Sequence, residues 1–414
     1  MSSVEILDID ITNCTKGQQS VPSCISKISV TESYSDFFNE YLFKNVPCII
    51  KGVALEWESF SQWVSNDAPN LKNLVSKYGS VEVPVTDCRK ADQCKNYIPF
   101  EEYAEYLKNI TPEKSLESII YLKDWHLRRE NPEDDFYEVP KYFASDWLNE
   151  YAVDNNRDDY MFVYFGPKGS WTPFHADVYT SFSWSANVVG QKKWILFPPG
   201  EESKFLDAVG NLPSDIENLL NDGLTYFQVI QNTGDAIFVP SGWFHQVWNM
   251  EDTISINHNW INGCNIDTML KSLKKNIEMV ESEIIEFKDT EGWMEHCQVM
   301  LKSLFGINYE GFFEFVKYIT VKRLNSLKNG CNLTFGNWHI SNNHIVFDLK
   351  SLRCVLENLV NEPYLDEESI RESKELIENI CNVIKSTLYV LTINYPKPSH
   401  LILYFHYLHF IMYK

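Results

Sequence analysis

The sequence lacks paired cysteines. Its ten cysteines are scattered over 414 residues, and none of them forms a Cys-x-x-Cys pair. A structural zinc site or a thioredoxin-like redox motif would need such pairs, so neither class is supported. Scattered thiols are typical of a reducing compartment, which predicts a cytoplasmic protein and leaves a nuclear location open.

Positive charge is also scarce. The chain has 36 lysines and arginines against 57 aspartates and glutamates, a formal net charge of −21. Domains that bind nucleic acid usually carry a basic surface, so no direct nucleic-acid partner is expected. The acidic excess either serves solubility or attracts basic segments of a protein partner, and charge alone does not separate these interpretations.

Long apolar runs are missing. The longest apolar stretch, residues 401–413, contains two histidines and is shorter than the roughly 20 residues that a membrane span needs. It predicts a terminal element that docks on the rest of the protein. The first residues show neither the basic segment nor the apolar segment of a signal peptide. No membrane association is therefore expected.

The pattern of apolar residues changes twice along the chain. After a leader at residues 1–34, residues 35–116 predict a mixed, partly helical region that packs on the core. Residues 117–265 carry short apolar segments separated by Pro and Gly, which predicts a β sandwich or barrel. Residues 266–414 repeat apolar positions every three or four residues and predict helices. The expected fold class is mixed α+β with a mainly β core.

Individual elements follow from the same patterns. Asp67 and Pro69 predict the start of a helix that ends at Gly79. The predicted core strands are residues 119–122, 160–165, 182–189, 193–197, 227–230, 236–239 and 253–256.

Two histidines and one aspartate form a candidate metal site. His175 and Asp177 are two residues apart, so on a strand both side chains would project from one face. His245 follows a segment whose pattern predicts a strand, a turn and another strand. Two imidazoles and one carboxylate on one side of a metal leave its other positions open, as in non-haem Fe(II) oxygenases. The alternative is a surface histidine and aspartate on an edge strand, without metal.

Two adjacent lysines lead into an apolar strand. A buried charge is costly without a partner, so one of Lys192 and Lys193 should point inward and the other outward. An inward lysine could neutralise the carboxylate of a co-substrate. The alternative is an edge strand with both lysines in solvent.

Four motifs surround these candidates. They are Thr172-x-x-His175-x-Asp177, Gly190-x-Lys192-x-Trp194, Gly234-Asp235-x-x-Phe238-Val239-Pro240-x-Gly242-Trp243-x-His245 and Asn257-x-Asn259. As a set they resemble the Jumonji-C (JmjC) domain family of 2-oxoglutarate oxygenases over about residues 35–265. Residues 170–177 and 181–185 are similar to the Jumonji-C domain-containing protein 4 branch, which hydroxylates a lysine of the translation termination release factor. The C-terminal third shows no residue-level match.

The resemblance implies a double-stranded β-helix, or jelly-roll, of the cupin-like type, and a role for each motif residue. The implied ligands of Fe(II) are His175, Asp177 and His245. Lys192 is implied to bind the far carboxylate of 2-oxoglutarate, with hydroxyl groups of Thr172 and Tyr121 donating to the same carboxylate. Tyr121 could equally be an ordinary core tyrosine. Asn259 is implied to lie near the carboxylate on the iron side.

The sequence departs from the family at two positions. Ser185 stands where some relatives use an Asn near the co-substrate, and Asn187 could replace it only if the strand register allows. Asn257 stands where some relatives have Thr. His258 alternates with its two asparagine neighbours and should face away from them.

By resemblance, the expected activity is hydroxylation of a lysine side-chain carbon with Fe(II), 2-oxoglutarate and O₂. The implied partner is a protein with an accessible lysine, the release factor, and a homodimer through the C-terminal helices is a further option. A histone lysine demethylase is the alternative enzyme, although no chromatin-reading module or zinc cluster is evident. A non-catalytic cupin-like binding protein is the alternative outside enzymes.

Overall fold

The computed structural model describes residues 5–10, 21–90, 94–330 and 333–394. The strands are β1 (Glu5–Leu7), β2 (Ser26–Ser29), β3 (Cys48–Lys51), β4 (Val64–Ser65), β5 (Ala68–Pro69), β6 (Glu82–Asp87), β7 (Asn96–Pro99), β8 (Ile120–Trp125), β9 (Met161–Gly166), β10 (Trp171–His175), β11 (Phe182–Val189), β12 (Lys192–Phe197), β13 (Phe227–Gln231), β14 (Ala236–Val239), β15 (Phe244–Asn249), β16 (Thr253–Trp260), β17 (Leu333–Phe335) and β18 (Trp338–Ile340). The α-helices are α1 (Tyr34–Phe37), α2 (Glu58–Trp63), α3 (Leu71–Tyr78), α4 (Phe100–Asn109), α5 (Pro112–Glu117), α6 (Leu127–Glu130), α7 (Trp147–Asp154), α8 (Ile266–Glu283), α9 (Trp293–Phe305), α10 (Tyr309–Asn329), α11 (Asn342–Leu359) and α12 (Glu367–Asn394).

Two sheets form the centre of the molecule. The larger has nine strands in the order β2-β3-β14-β11-β16-β9-β8-β6-β7, and the smaller has four in the order β10-β15-β12-β13. Apolar side chains of both sheets meet in a core of their own, which contains Ile49, Trp194, Leu196, Val229, Ile237, Val239, Trp243 and Val247. The predicted mixed α+β fold with a jelly-roll core is confirmed, and its described strands form two open sheets rather than a closed barrel.

Strand β11 shows how the sequence separates the two faces of the larger sheet. Its small polar residues, Ser183 and Ser185, alternate with Trp184 and Ala186. Trp184 stacks on Phe143 on the helix-covered face, with ring centroids 5.2 Å apart. Because successive strand residues point to opposite faces, the serines are left for the space between the sheets. Strand β11 therefore contributes a polar strip to a wall that is apolar at β3 and β14.

The C-terminal helices are amphipathic, as predicted. The buried stripe of α8 consists of Ile266, Met269, Leu270, Leu273, Ile277 and Val280. Arg323 of α10, which is fully buried, donates to Glu150 of α7 and to Asp348 of α11, each at 2.9 Å. This ion-pair network joins α10 and α11 of the C-terminal region to α7, which lies between β8 and β9 in the chain.

The N-terminal region contributes strands to the larger sheet. Strand β2 pairs with β3 in parallel, and β3 pairs with β14. At the other end of the sheet, β6 pairs with β7 and β8. Strands β1 and β2 both lie in the predicted leader, and β1 pairs with β18. The division into a leader, an N-terminal region, a core and a C-terminal region stays a prediction.

One helix starts later than predicted. Asn66 and Asp67 have φ angles of 51° and 59° and form the tight turn between β4 and β5, a conformation that Asn and Asp tolerate better than most residues. Pro69 therefore lies in β5, and the side chain of Asn70 caps α3 instead. The helix ends before Gly79, as predicted.

No helix in the described ranges is long and apolar enough to cross a membrane. The apolar stretch at residues 401–413, for which docking is predicted, lies outside the described residues.

Candidate active site

The structure brings His175, Asp177 and His245 together. His175 is the last residue of β10 and lies opposite His245 of β15, with ring centroids 4.4 Å apart. One ligand atom from each of the three side chains lies within 4.8 Å of the others. Asp177 does not continue the strand as predicted, because β10 ends at His175 and Asp177 opens the following turn. The three side chains converge nonetheless.

A β-bulge in β10 aligns this site. Thr172 lies opposite Val247 and His175 opposite His245, so three residue steps on β10 match two on β15. Pro173 lies within the bulge, on an edge strand of the smaller sheet, where a missing N–H is tolerated. Thr172 and His175 are three residues apart, so on a regular strand they would point to opposite faces. The bulge places them opposite Val247 and His245 of β15, which are two residues apart and share one face.

Backbone carbonyls fix the protonation pattern of both histidines. The Nδ1 atom of His175 lies 2.7 Å from the Pro173 carbonyl oxygen, and that of His245 lies 3.0 Å from the Trp243 carbonyl oxygen. A carbonyl can only accept, so each Nδ1 carries a proton and Nε2 is left as the nitrogen whose lone pair a metal ion can use. Burial, followed by the nearby His245, lowers the pKa of His175 to about 4. Neutral imidazoles of this kind are suited to bind a metal ion.

The Asp177 carboxylate is oriented by two donors. Ser183 Oγ donates to Oδ2 at 2.6 Å, and Asn259 Nδ2 donates to Oδ1 at 2.9 Å. Such hydrogen bonds set the direction in which a carboxylate presents its remaining lone pairs. Two imidazoles and one oriented carboxylate are a donor set that fits ferrous iron with open positions. Asn259 therefore lies against Asp177 here, and its contact with a co-substrate stays a prediction.

Lys192 and Lys193 separate as the sequence predicts. Lys192 is 2% exposed, and its Nζ donates to Ser255 Oγ at 2.6 Å. Among the described residues, no Asp or Glu lies within salt-bridge distance of Lys192. Lys193 points outward, where it pairs with Glu217 and lies 4.3 Å from the centre of the Trp248 ring. A buried ammonium without a carboxylate fits an anionic ligand.

Burial, and then the positive charge of Lys123, lower the pKa of Lys192 to about 7. Lys123 lies on β8, with its Nζ 5.9 Å from the centre of the Tyr121 ring. Because Lys192 and Lys123 are both cationic and lie close enough to affect each other, this part of the protein favours binding of an anion.

The two predicted hydroxyl donors are both buried. Thr172 Oγ1 has no hydrogen-bond partner among the residues that the structure describes, which is unusual for a buried hydroxyl. Tyr121 is 2% exposed, and its ring meets that of Tyr164 edge-on at 6.0 Å. The Lys192 Nζ lies 5.9 Å from the centre of the same Tyr164 ring. Within the described residues, the Thr172 hydroxyl has no hydrogen-bond partner, and the Lys192 ammonium has no carboxylate partner. Both groups could donate to a carboxylate of 2-oxoglutarate.

Two neighbouring asparagines serve local structure. The Asn187 amide donates to the Gln231 carbonyl oxygen at 3.2 Å, so Asn187 does not substitute for Ser185. The Asn257 amide donates to Ser255 Oγ at 3.1 Å. Ser185 Oγ lies 3.5 Å from the Lys192 Nζ.

The orientation predicted for His258 is confirmed. Its Nε2 lies 2.6 Å from the Tyr137 hydroxyl, and its ring stacks on Trp184 on the helix-covered face. Burial, with Arg128 adding to it, lowers the pKa of His258 to about 3. The histidine is a neutral part of the core and not a ligand.

Sequence reasoning missed the residues that support the site. Ser183 orients Asp177, Ser255 holds Lys192, and Lys123 adds charge. The alternation of serines with aromatic residues in β11 was a usable signal for Ser183, because it marks a polar inner face. Nothing in the local sequence distinguishes Ser255 or Lys123.

Comparisons with known proteins agree with this geometry. Residues 34–265 match the family described as a cupin-like domain. The chain is 41% identical to the "2-oxoglutarate and iron-dependent oxygenase JMJD4" of Danio rerio, over 84% of this chain and 91% of that protein. The protein of that name in Homo sapiens is also 41% identical, over 80% of this chain and 83% of its own length.

A third relative carries a different name. The "Arginine-specific demethylase JMJ20" of Arabidopsis thaliana is 35% identical over 83% of this chain and 81% of that protein. The animal relatives show higher identity over a similar extent. The chain therefore belongs to the JMJD4 family of 2-oxoglutarate and iron-dependent oxygenases, as its Jumonji-C motifs predicted.

Proposed function

We propose that the chain is a protein hydroxylase that acts on a lysine side-chain carbon of the translation termination release factor. His175, Asp177 and His245 would hold Fe(II) in this activity. The observation that supports the metal-dependent part of the proposal is the pair of histidines whose Nδ1 atoms both lie at hydrogen-bond distance from carbonyl oxygens; the lysine substrate rests on the resemblance of residues 170–177 and 181–185. Both Nε2 atoms are then free for a metal beside the oriented Asp177 carboxylate.

Lys192 would bind the far carboxylate of 2-oxoglutarate. The support is its burial, the absence of an acidic partner in the described part of the chain, and the unpaired hydroxyl of Thr172. Tyr121 lies in the same aromatic group as Tyr164, which adjoins Lys192. Asn259 would act on the metal side by holding Asp177.

Bound iron and 2-oxoglutarate together supply the oxidising power that places one atom of O₂ in a substrate C–H bond while 2-oxoglutarate becomes succinate and CO₂. The chain's own residues position these groups and exclude water. Ser183 and Asn259 keep the Asp177 carboxylate aimed, and Ser255 keeps the Lys192 ammonium inside. The two packed sheets shield the space between them, which strengthens each charge–charge contact there.

A protein substrate is consistent with the charge of the chain. Its net charge of −21 would attract a basic segment that carries the target lysine. The same charge disfavours direct binding to nucleic acid. The cytoplasm, where translation ends, is the proposed location, with the nucleus as the alternative.

A homodimer through the C-terminal helices is a further proposal about partners. Its support is the exposure of five apolar side chains in this part of the chain: Met279 near the end of α8, Ile285 and Phe287 just after it, and Val299 and Leu304 on α9. Light scattering of the purified protein at several concentrations tests it, and a concentration-independent monomer would overturn it.

Demethylation is the second candidate function. The observation in its favour is the 35% identity with a relative named an arginine-specific demethylase. The sequence-based alternative, demethylation of histone lysines, uses the same metal and co-substrate. Demethylation of arginine or of lysine would release formaldehyde from a methylated peptide. Hydroxylation instead adds one oxygen atom to the substrate and removes no carbon from it.

The decisive experiment combines intact-mass analysis with a formaldehyde assay. The enzyme, Fe(II) and 2-oxoglutarate are incubated with the release factor and, separately, with methylated histone peptides. We expect the release factor to gain one oxygen atom and the peptides to release no formaldehyde. Formaldehyde release without a mass gain would replace hydroxylation by demethylation. A non-catalytic role would be supported if neither product formed while Fe(II) still bound.

A further inference from the structure

The turn that follows Asp177 has an unusual backbone. Tyr179 has a φ of 57° and a ψ of 16°, and Thr180 has a φ of 50°. Two successive non-glycine residues in the left-handed region are uncommon, because the side chain crowds the backbone there. Such a conformation persists only when its surroundings hold it in place.

Contacts from outside the two sheets hold this turn. The Tyr179 hydroxyl lies 3.0 Å from the Tyr160 hydroxyl, and the two rings meet edge-on with centroids 5.8 Å apart. Thr180 Oγ1 donates to the Tyr179 carbonyl oxygen at 2.5 Å, and it lies 3.5 Å from the Thr268 carbonyl oxygen in the first turn of α8. The Tyr179 side chain therefore has a partner beyond the turn, and Thr180 lies next to the start of α8.

The third contact comes from the end of α9. Gly306 caps that helix with a φ of 79°, and its N–H donates to the Lys302 carbonyl oxygen. A Cβ atom on Gly306 would lie 2.7 Å from the Tyr179 hydroxyl oxygen and 3.4 Å from two ring atoms. The tyrosine thus fills the space that a side chain at Gly306 would need.

Gly330 provides an internal comparison. It caps α10 with a φ of 63°, and a Cβ atom there would have no neighbour within 4 Å. A glycine in this position is commonly explained by its positive φ alone. Gly306 has the same backbone requirement and, in addition, the close approach of Tyr179.

Hydrogen bonds connect the turn to Asp177. The Thr180 N–H donates to the Asp177 carbonyl oxygen at 3.1 Å. The Tyr160 carbonyl oxygen accepts from the backbone N–H of Asn259 at 3.0 Å, and the Asn259 side chain donates to the Asp177 carboxylate. Tyr160 therefore touches both Tyr179 and the residue that aims Asp177.

We infer that the end of α9, through the contact of Gly306 with Tyr179, sets the position of Asp177 as a metal ligand. Gly306 and Tyr179 are positioning residues, and the C-terminal helices support the metal site. The inference rests on the proposed function, in which Asp177 binds Fe(II). It assigns a role in the oxygenase reaction to helices that the sequence motifs leave without one.

Metal affinity tests this inference directly. Mn(II), which prefers a similar donor set and is stable in air, is titrated calorimetrically into the full chain and its variants. Gly306→Ala should weaken Mn(II) binding by about tenfold, the lower end of the effect seen when the outer support of a ligand is lost. Gly330→Ala, which has the same backbone strain and open space, should leave Mn(II) binding unchanged.

A double variant separates the contact from the strain. Phe in place of Tyr179 removes the oxygen atom nearest to the added Cβ, so Gly306→Ala should cost no further Mn(II) affinity when it is made in Tyr179→Phe, which already lacks the hydroxyl contact with Tyr160. If Gly306→Ala does not fold, Tyr179→Ala removes the same contact and should lower Mn(II) affinity while the helix cap stays intact. Thermal melting of each variant identifies loss of folding.

The outcomes distinguish the inference from the proposal beneath it. Equal Mn(II) affinities for Gly306→Ala and Gly330→Ala, or a double variant that binds Mn(II) much more weakly than Tyr179→Phe alone, would overturn the inference and leave the ligand assignment intact. Unchanged Mn(II) affinity in Asp177→Ala would instead overturn the ligand assignment itself.

Discussion

Lys192 and Lys193 are neighbours in sequence and lie on opposite faces of one strand. The Lys192 Nζ is buried against Ser255, whereas Lys193 pairs with Glu217 at the surface. This separation gives a matched pair of variants. Lys192→Met should weaken 2-oxoglutarate binding by about 10- to 100-fold, because a hydrogen bond to a charged group contributes about 1.5–3 kcal/mol. Lys193→Met should leave that affinity unchanged.

Calorimetric titration of 2-oxoglutarate into Mn(II)-loaded protein measures both affinities. Equal losses in the two variants would show that general positive charge, and not the inward position of Lys192, binds the co-substrate.

The affinity for 2-oxoglutarate should depend on pH. Burial, followed by Lys123, lowers the pKa of Lys192 to about 7 in the protein alone, and a bound carboxylate favours the ammonium form and raises it again. Above pH 7 binding must take up a proton, so the affinity should fall by up to about tenfold per pH unit there and stay flat below. Titrations between pH 6 and 9 measure the slope, and Lys192→Met should abolish it.

The same group affects folding in the opposite direction. In the absence of co-substrate, the folded protein binds fewer protons at Lys192 than the unfolded chain does between pH 7 and the usual lysine value of 10.5. The contribution of Lys192 to the free energy of unfolding should therefore rise with pH across this range. Denaturation of the wild type and Lys192→Met over the same pH range checks the sign, and parallel curves would contradict it.

The donors to Asp177 should control metal affinity without being ligands. Ser183→Ala and Asn259→Ala each remove one hydrogen bond to the carboxylate, and each should weaken Mn(II) binding by about tenfold or more. Asn257→Ala is the control, because the Asn257 amide donates to Ser255 and not to Asp177. A loss in the control as large as in the other two variants would indicate a general disturbance of β16.

The buried Arg323 should matter for stability. Arg323→Met would leave the fully buried Asp348 carboxylate without its arginine, while Glu150 would keep its ion pair with Lys322; loss of one partner of a buried pair costs roughly 3–5 kcal/mol. Lys317→Met on the same helix breaks only partly exposed pairs and should change the free energy of unfolding by about 1 kcal/mol or less. Urea denaturation compares the two variants, and similar losses would contradict the assigned role.

Local patterns predicted much of the fold. Strands β11 and β14 have the bounds that their apolar and turn residues indicated. The alternation of residues in β16 placed His258 on the face away from its asparagine neighbours. These features depend on the period of one strand, which a short stretch of sequence contains in full.

Features that depend on the pairing of distant strands could not be predicted. The contact of Lys192 with Ser255 requires the register between β12 and β16 across the two sheets. The contact of Asn259 with Asp177 requires the course of the turn after β10, which includes two left-handed residues that the sequence does not mark with glycine. Register and turn geometry are properties of the assembled sheets.

The bulge in β10 makes the length of one short segment decisive. His175 belongs to the candidate metal site and Thr172 is the predicted co-substrate contact, and the extra residue sets the distance between them along one strand. Each added or removed strand residue reverses the face of every side chain beyond it. A one-residue deletion between Thr172 and His175 would therefore turn one of the two side chains away from the space between the sheets. The length of the segment between Thr172 and His175 therefore decides whether the site can form. Such a deletion would keep every candidate site residue in the chain and still place Thr172 and His175 on opposite faces of the strand.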